Sequence, residues 1–160
     1  EGGREVPELP GDVGGLFVTL RGREGGLIGC VGLLERPSPW PEVVADLAVR
    51  AALYDPRTPR ASAVDLEGAQ LEVSFLCGFE RVECGDEREL TELIGRERPG
   101  VLVESEGRRA TFLPGVWEQL AEPSEFWAQL KRKAGLGPLP LACGSEVWIY
   151  RSRSHLRAMR

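Results

Sequence analysis

The sequence predicts an α+β domain: a largely antiparallel, hairpin-rich sheet with helices packed on it and room for a smaller subdomain. Two observations carry this. Short apolar runs flank turn-like residues at 16–34 and again at 100–113, and three other stretches repeat apolar residues at helical period. No internal repeat or low-complexity tract competes with that reading.

The elements follow in chain order. Residues 1–14, rich in glycine and proline at first, read as a flexible opening arm without a sustained period. "LFVTL" (Leu16–Leu20) and "LIGCVGLL" (Leu27–Leu34) then flank "RGREGG", which is too short for a parallel crossover and predicts an antiparallel hairpin with Cys30 in mid-strand. In "SPWPEVVADLAVRAALYDP", Ser38 is placed to cap a helix. Val44, Leu47, Ala48 and Ala51 form its apolar face, Glu42, Asp46 and Arg50 its wet face, and Pro56 its end. "QLEVSFL" alternates as a half-buried strand does. "DERELTELIG" reads as a helix with Asp86 and Glu89 set like a capping box and Gly95 as terminator. "GVLVESEGRRATFLP" is a second hairpin, turning at Glu106 and Gly107 and closed by Pro114. A last helix, from a cap near Ser124 to Lys133, turns Phe126, Trp127 and Leu130 inward and stops at Gly135. The strand "EVWIYR" precedes a basic tail, 152–160, so that the domain proper spans 15–151.

Composition bounds the function. A chain of 160 residues, 42% hydrophobic and 28% charged, suits one soluble domain, and a formal net charge of -5 excludes a uniformly basic nucleic-acid coat. The four cysteines, Cys30, Cys77, Cys84 and Cys143, show no C-x-x-C pair. Reduced thiols in a cytoplasm are therefore expected, with no zinc site and no cofactor motif. No apolar run reaches the roughly 18 residues that span a bilayer, and Glu1–Pro10 lacks the apolar centre of a signal peptide, so a cytoplasmic protein is expected. A start at Glu1 rather than Met is expected of a piece of something longer.

Five blocks in order, "LFVTL", "LIGCVG", "AALYDPR", "LEVSFL" and "RRATFLPGVWEQ" with "FWAQLKRKAGL" after it, give the chain from Gly15 to Arg151 a resemblance to the AMMECR domain family, within the bacterial and archaeal AmmeMemoRadiSam grouping. The family's Leu-Arg-Gly-Cys-Ile-Gly signature stands here as Leu27, Ile28, Gly29, Cys30, Val31 and Gly32, with Ile28 in place of arginine. Its Asp-Pro-Arg-Phe stretch stands as Asp55, Pro56, Arg57 and Thr58, without the aromatic ring. The family's usual amino-terminal helix is not found before Gly11. The resemblance implies a cleft lined by the signature and an association with Memo-like and radical SAM proteins, and no established reaction.

Each candidate residue carries two readings. Cys30 is a nucleophile if positive charge lowers its pKa, or a small core residue; Gly29 and Gly32 beside it leave room for a ligand or for a neighbouring backbone. Asp55 with Arg57 orients a substrate or pins the exit of a helix. Arg109 shares a strand face with Thr111, which Arg108 does not, and Arg57 and Arg109 are the cations that motif places nearest Cys30. His155, the only histidine, reads as a solvated residue rather than a partner for the cysteine. Seven basic residues from Lys131 to Arg160 against one acid suggest either a docking patch for RNA or an acidic partner, or a helix end and a solvated tail. Two functions follow: an enzyme or enzyme subunit handling a small polar or anionic substrate at the Cys30 strand, or a non-catalytic module docking a protein or RNA through its basic end.

Overall fold

A computed structural model of the chain describes residues 8–83 and 85–159; most of the opening arm and Cys84 lie outside the described residues. The strands are β1 (Val13–Arg21), β2 (Leu27–Leu33), β3 (Gln70–Arg81), β4 (Gly100–Ser105), β5 (Arg108–Phe112) and β6 (Glu146–Ala158). The helices are α1 (Trp40–Leu53), α2 (Ala63–Leu66), α3 (Glu87–Glu97) and α4 (Pro123–Lys133), with a 3₁₀ turn at Pro114–Glu118. The fold is α+β with an antiparallel sheet, as the two hairpins require.

Two compact units are distinguished, one of residues up to Cys77 together with those from Arg153, the other Gly78–Ser152. In the first the strand order is β2-β1-β3-β6, and in the second β3-β6-β4-β5. The long strands β3 and β6 run through both.

In the first unit α1 lies on one sheet face. Its Leu47 packs with Leu16 and Val18 of β1, while Val44 and Ala48 join Leu71, Val73 and Phe75 of β3 around them. Towards the helix end Ala51 and Ala52 meet Leu20. The alternation in "QLEVSFL" thus faces its apolar members to α1. The opposite face of α1 carries the Asp46–Arg50 pair at 3.1 Å. Ser38 does not cap this helix: the chain enters through Pro39 with Pro41 in the first turn, whose missing N–H leaves less for a cap to satisfy. The short α2 has a capping box instead, Ser62 with Asp65, in a stretch that carries too little periodicity to read as a helix.

In the second unit Leu90 and Ile94 of α3 and Phe126, Trp127 and Leu130 of α4 close over Val101 and Val103 of β4. Asp86 caps α3, accepting from the Glu89 amide at 2.8 Å, while the Glu89 carboxylate reaches the Gly85 amide at 2.9 Å. Asp86→Ala is expected to cost about 1 kcal/mol, read as a fall of a few degrees in Tm by circular dichroism. Gly95 is not the terminator. The helix continues to Glu97, and a Cβ on Gly95 would stand 2.4 Å from the Pro123 ring, so the glycine serves the close approach of α4. The left-handed residue that ends α3 is Arg98, with φ 50°. Nor does Ser124 cap α4, which starts one residue earlier at Pro123. The second hairpin turns where expected, Glu106 and Gly107 both at positive φ (51° and 73°), as a two-residue turn with that twist demands.

The last strand runs well past "EVWIYR". Through Ala158 the supposed tail is sheet: Ser154 Oγ lies 2.8 Å from Ser74 Oγ, and the Met159 amide donates to the Ala69 carbonyl at 2.8 Å. Polar and basic residues conceal a strand whose backbone supplies the pairing. Among the described residues no helix is long and apolar enough to cross a membrane.

Candidate functional site at Cys30

The hairpin register sets Thr19 of β1 directly opposite Cys30 of β2, and one residue further Leu20 opposite Gly29. The period of two then fixes the faces. Gly29 points at α1 and Cys30 away from it, on the same side as Thr19. A Cβ on Gly29 would lie 1.8 Å from the Ala51 carbonyl oxygen. Absence of a side chain there lets the last turns of α1 lie on the strand itself. A Cβ on Gly32 would meet the Phe17 ring at 2.4 Å; the ring of the directly paired residue covers the glycine. The room that both glycines leave is filled from within the protein.

The close approach at Gly29 brings the exit of α1 to Cys30. Two residues past the helix end, Asp55 is buried, its side chain 1% exposed. Its Oδ2 accepts from the Cys30 amide at 2.9 Å and from Arg57 Nη2 at 2.7 Å, and its Oδ1 accepts from the Arg57 amide at 3.0 Å and Nε at 2.9 Å. Arg57 Nη2 also donates to the Cys30 carbonyl at 3.0 Å. One ion pair thus holds both polar groups of the Cys30 backbone. Its bidentate geometry is the fork that only a guanidinium offers a carboxylate. These bonds, the Arg57 side chain first and the two amides after it, hold the Asp55 carboxyl well below the usual carboxylate range against the opposing effect of burial. The Asp55 carboxylate in turn raises Arg57 further.

The thiol has a partner of its own, the Thr19 hydroxyl, which donates to Cys30 Sγ at 3.1 Å. Thr19 escaped the sequence reading because counting back across the "RGREGG" turn pairs it with Ile28, whereas the observed register, with its irregularity between Leu20 and Arg21, pairs it with Cys30. Ile28, which stands where the family signature has arginine, is the extra residue at an irregularity in the β1–β2 ladder and packs among Leu20, Ala51 and Ala52.

Arg109 and Thr111 belong to the second unit. Arg109 is exposed on β5 opposite Glu104. Thr111 is buried and donates to the Val101 carbonyl at 2.8 Å, with Tyr150 Oη 2.6 Å away; burial pushes that phenol well above its usual range. The basic run at the end of α4 is only partly solvated, Arg132 and Lys133 being exposed and Lys131 buried. Lys131, 3% exposed, bonds Glu87 Oε1 at 3.0 Å and the Leu139 carbonyl at 2.7 Å, and Lys133 donates to the Thr111 carbonyl at 2.8 Å. Helical spacing turns the first of the three cations inward on the same side as Trp127. His155 is exposed but sets its ring edge-to-face with Phe75 at 6.1 Å. Cys30 and Cys143 are free thiols, and among the described residues no group of three histidine, cysteine or acidic side chains could hold a metal ion.

A family model described as AMMECR1 matches residues 4–155. A protein of Methanosarcina acetivorans is 30% identical over 151 residues, covering 94% of this chain and 75% of that protein. Protein MK0488 of Methanopyrus kandleri is 31% identical, with 94% and 76% covered. The crystal structure of the uncharacterized protein PH0010 from Pyrococcus horikoshii superimposes with a TM-score of 0.77 at 26% identity, over 92% of this chain and 79% of that one.

Proposed function

The chain belongs to the AMMECR1 family, and on that premise we propose that it is a cytoplasmic enzyme or enzyme subunit that handles a small polar or anionic substrate at Cys30. The observation that carries this reading is the double grip of Asp55 and Arg57 on the Cys30 backbone, with Thr19 on its sulfur. A cysteine that only fills space needs no such fixing, whereas a reacting group gains from being held in one geometry. Asp55 and Arg57 act first as positioning residues. The Arg57 side chain, 60% exposed, also presents a cation to solvent beside the strand, which suits an anionic group. In the grouping that the family implies, Memo-like and radical SAM proteins are the proposed associates.

Alkylation of the folded protein tests this. Cys30 is expected to react while the buried Cys77 does not, and millimolar inorganic phosphate is expected to slow Cys30 several-fold without slowing the exposed Cys143. Arg57→Ala is expected to abolish that protection. Labelling of Cys30 no faster than Cys77, by mass spectrometry of the digested protein, sinks the proposal.

A further inference from the structure

The same ion pair has a second role that concerns only the backbone of Cys30 and does not depend on its thiol. Among the described residues of the first unit β2 is the outermost strand, and its strand partner is β1. In an antiparallel ladder the N–H and C=O of one residue point to the same side, and successive residues alternate. Both groups of Cys30 are taken by Asp55 and Arg57, so they point away from β1, towards the free edge. A carboxylate oxygen accepting the N–H and a guanidinium N–H donating to the C=O reproduce what a residue of a further strand would offer. By the same alternation the N–H and C=O of Gly32 face outward as well.

The strand that this pair closes is a hazard if left open. "LIGCVGL" has no charge and no proline and offers an extended edge of the kind that pairs with its own copy. Antiparallel pairing of two such strands about a two-fold axis puts the same segment on both sides, so a second copy of this chain is a ready partner.

We propose that the Asp55–Arg57 pair is an edge cap: it occupies the place of a neighbouring strand residue against Cys30 and keeps β2 from pairing with β2 of a second copy. The device costs the fold one buried carboxylate and leaves β2 free of the edge lysines or prolines commonly used for the purpose.

Sedimentation equilibrium of three variants tests it against the wild type. Asp55→Ala with Arg57→Ala removes both halves of the cap and leaves no orphan charge; its weight-average mass is expected to rise about twofold with concentration, relative to the wild type. Arg57→Ala alone, which truncates a largely exposed side chain and leaves Asp55 its bonds to two amides, stays folded and is expected to self-associate more weakly. Leu27→Lys, at the exposed start of β2, added to the double variant is expected to return the mass to the wild-type value by placing a charge on the edge. Folded Arg57→Ala and double variants that both stay at the wild-type mass overturn the proposal. So does association that Leu27→Lys leaves undiminished, which would locate it elsewhere on the molecule.

Discussion

Gly29→Ala is expected to destabilise the protein by about 3 kcal/mol, the upper part of the range for forcing a side chain into filled space, and to lower Tm by roughly 6–12 °C. A Cβ placed 1.8 Å from the Ala51 carbonyl oxygen cannot be accommodated by turning a side chain, because the obstacle is the backbone of α1. Either the helix end lifts or β2 withdraws. Both movements part Asp55 from Cys30, since the Asp55 loop follows directly from α1 and grips the very next residue of the strand. The substitution therefore carries a signature beyond lost stability: the Cys30 amide loses protection in hydrogen exchange, while amides of α3 and α4 in the second unit keep theirs. Gly32→Ala provides the comparison. Its Cβ would meet the Phe17 ring at 2.4 Å and the Leu16 carbonyl oxygen at 2.5 Å, on the sheet face away from α1, so stability is expected to fall there too while the Cys30 amide keeps its protection. A Gly29→Ala protein with wild-type Tm and a protected Cys30 amide would show that this contact does not set the position of the clamp.

The sequence disclosed the elements that rest on period and turn chemistry, and hid those that rest on close approach. Both hairpins, the apolar face of α1 and the inward residues of α4 follow from spacing alone, because the side-chain period decides which residues meet the core. Gly95 misleads for a physical reason: a glycine near a helix end ordinarily supplies a left-handed terminator, but here it admits the Pro123 ring, a contact 28 residues away that no local pattern records. The tail misleads because its alternation is polar; β6 continues through Ser154 and beyond on backbone bonds that the side chains do not advertise. At the site, the family signature drew attention to Cys30, Asp55 and Arg57, and the structure joins those three by hydrogen bonds. What pattern could not supply was direction. It is the Cys30 backbone that the acid and the arginine hold, and the residue on its sulfur is Thr19, a hydroxyl that only register brings there.

The clamp makes a contribution to stability that depends on pH in the acid range. Four N–H groups converge on the two oxygens of Asp55: the Cys30 amide, the Arg57 amide, and Nε and Nη2 of Arg57. A site surrounded by donors requires a group that only accepts. Asp55→Asn keeps the shape but replaces one oxygen by an amide that itself donates, so at least one buried N–H loses its acceptor and the Arg57 charge loses its counter-ion. A loss of about 3 kcal/mol at pH 7 is expected from the unsatisfied donor and the broken pair together, with the pair discounted because the Arg57 side chain is largely exposed. The sign of the pH dependence follows from the direction of the shift. The carboxyl is held below its unfolded value in the folded protein, so its stabilisation is complete above about pH 4, the ordinary aspartate range, and declines as pH falls below it towards the depressed folded value. Urea unfolding at pH 7, 4 and 3 should therefore show the wild type and Asp55→Asn far apart at pH 7 and converging in acid, because the wild type loses what the variant never had. A gap that stays constant from pH 7 to pH 3 would mean that the charge of Asp55 contributes nothing and that shape alone fills the site.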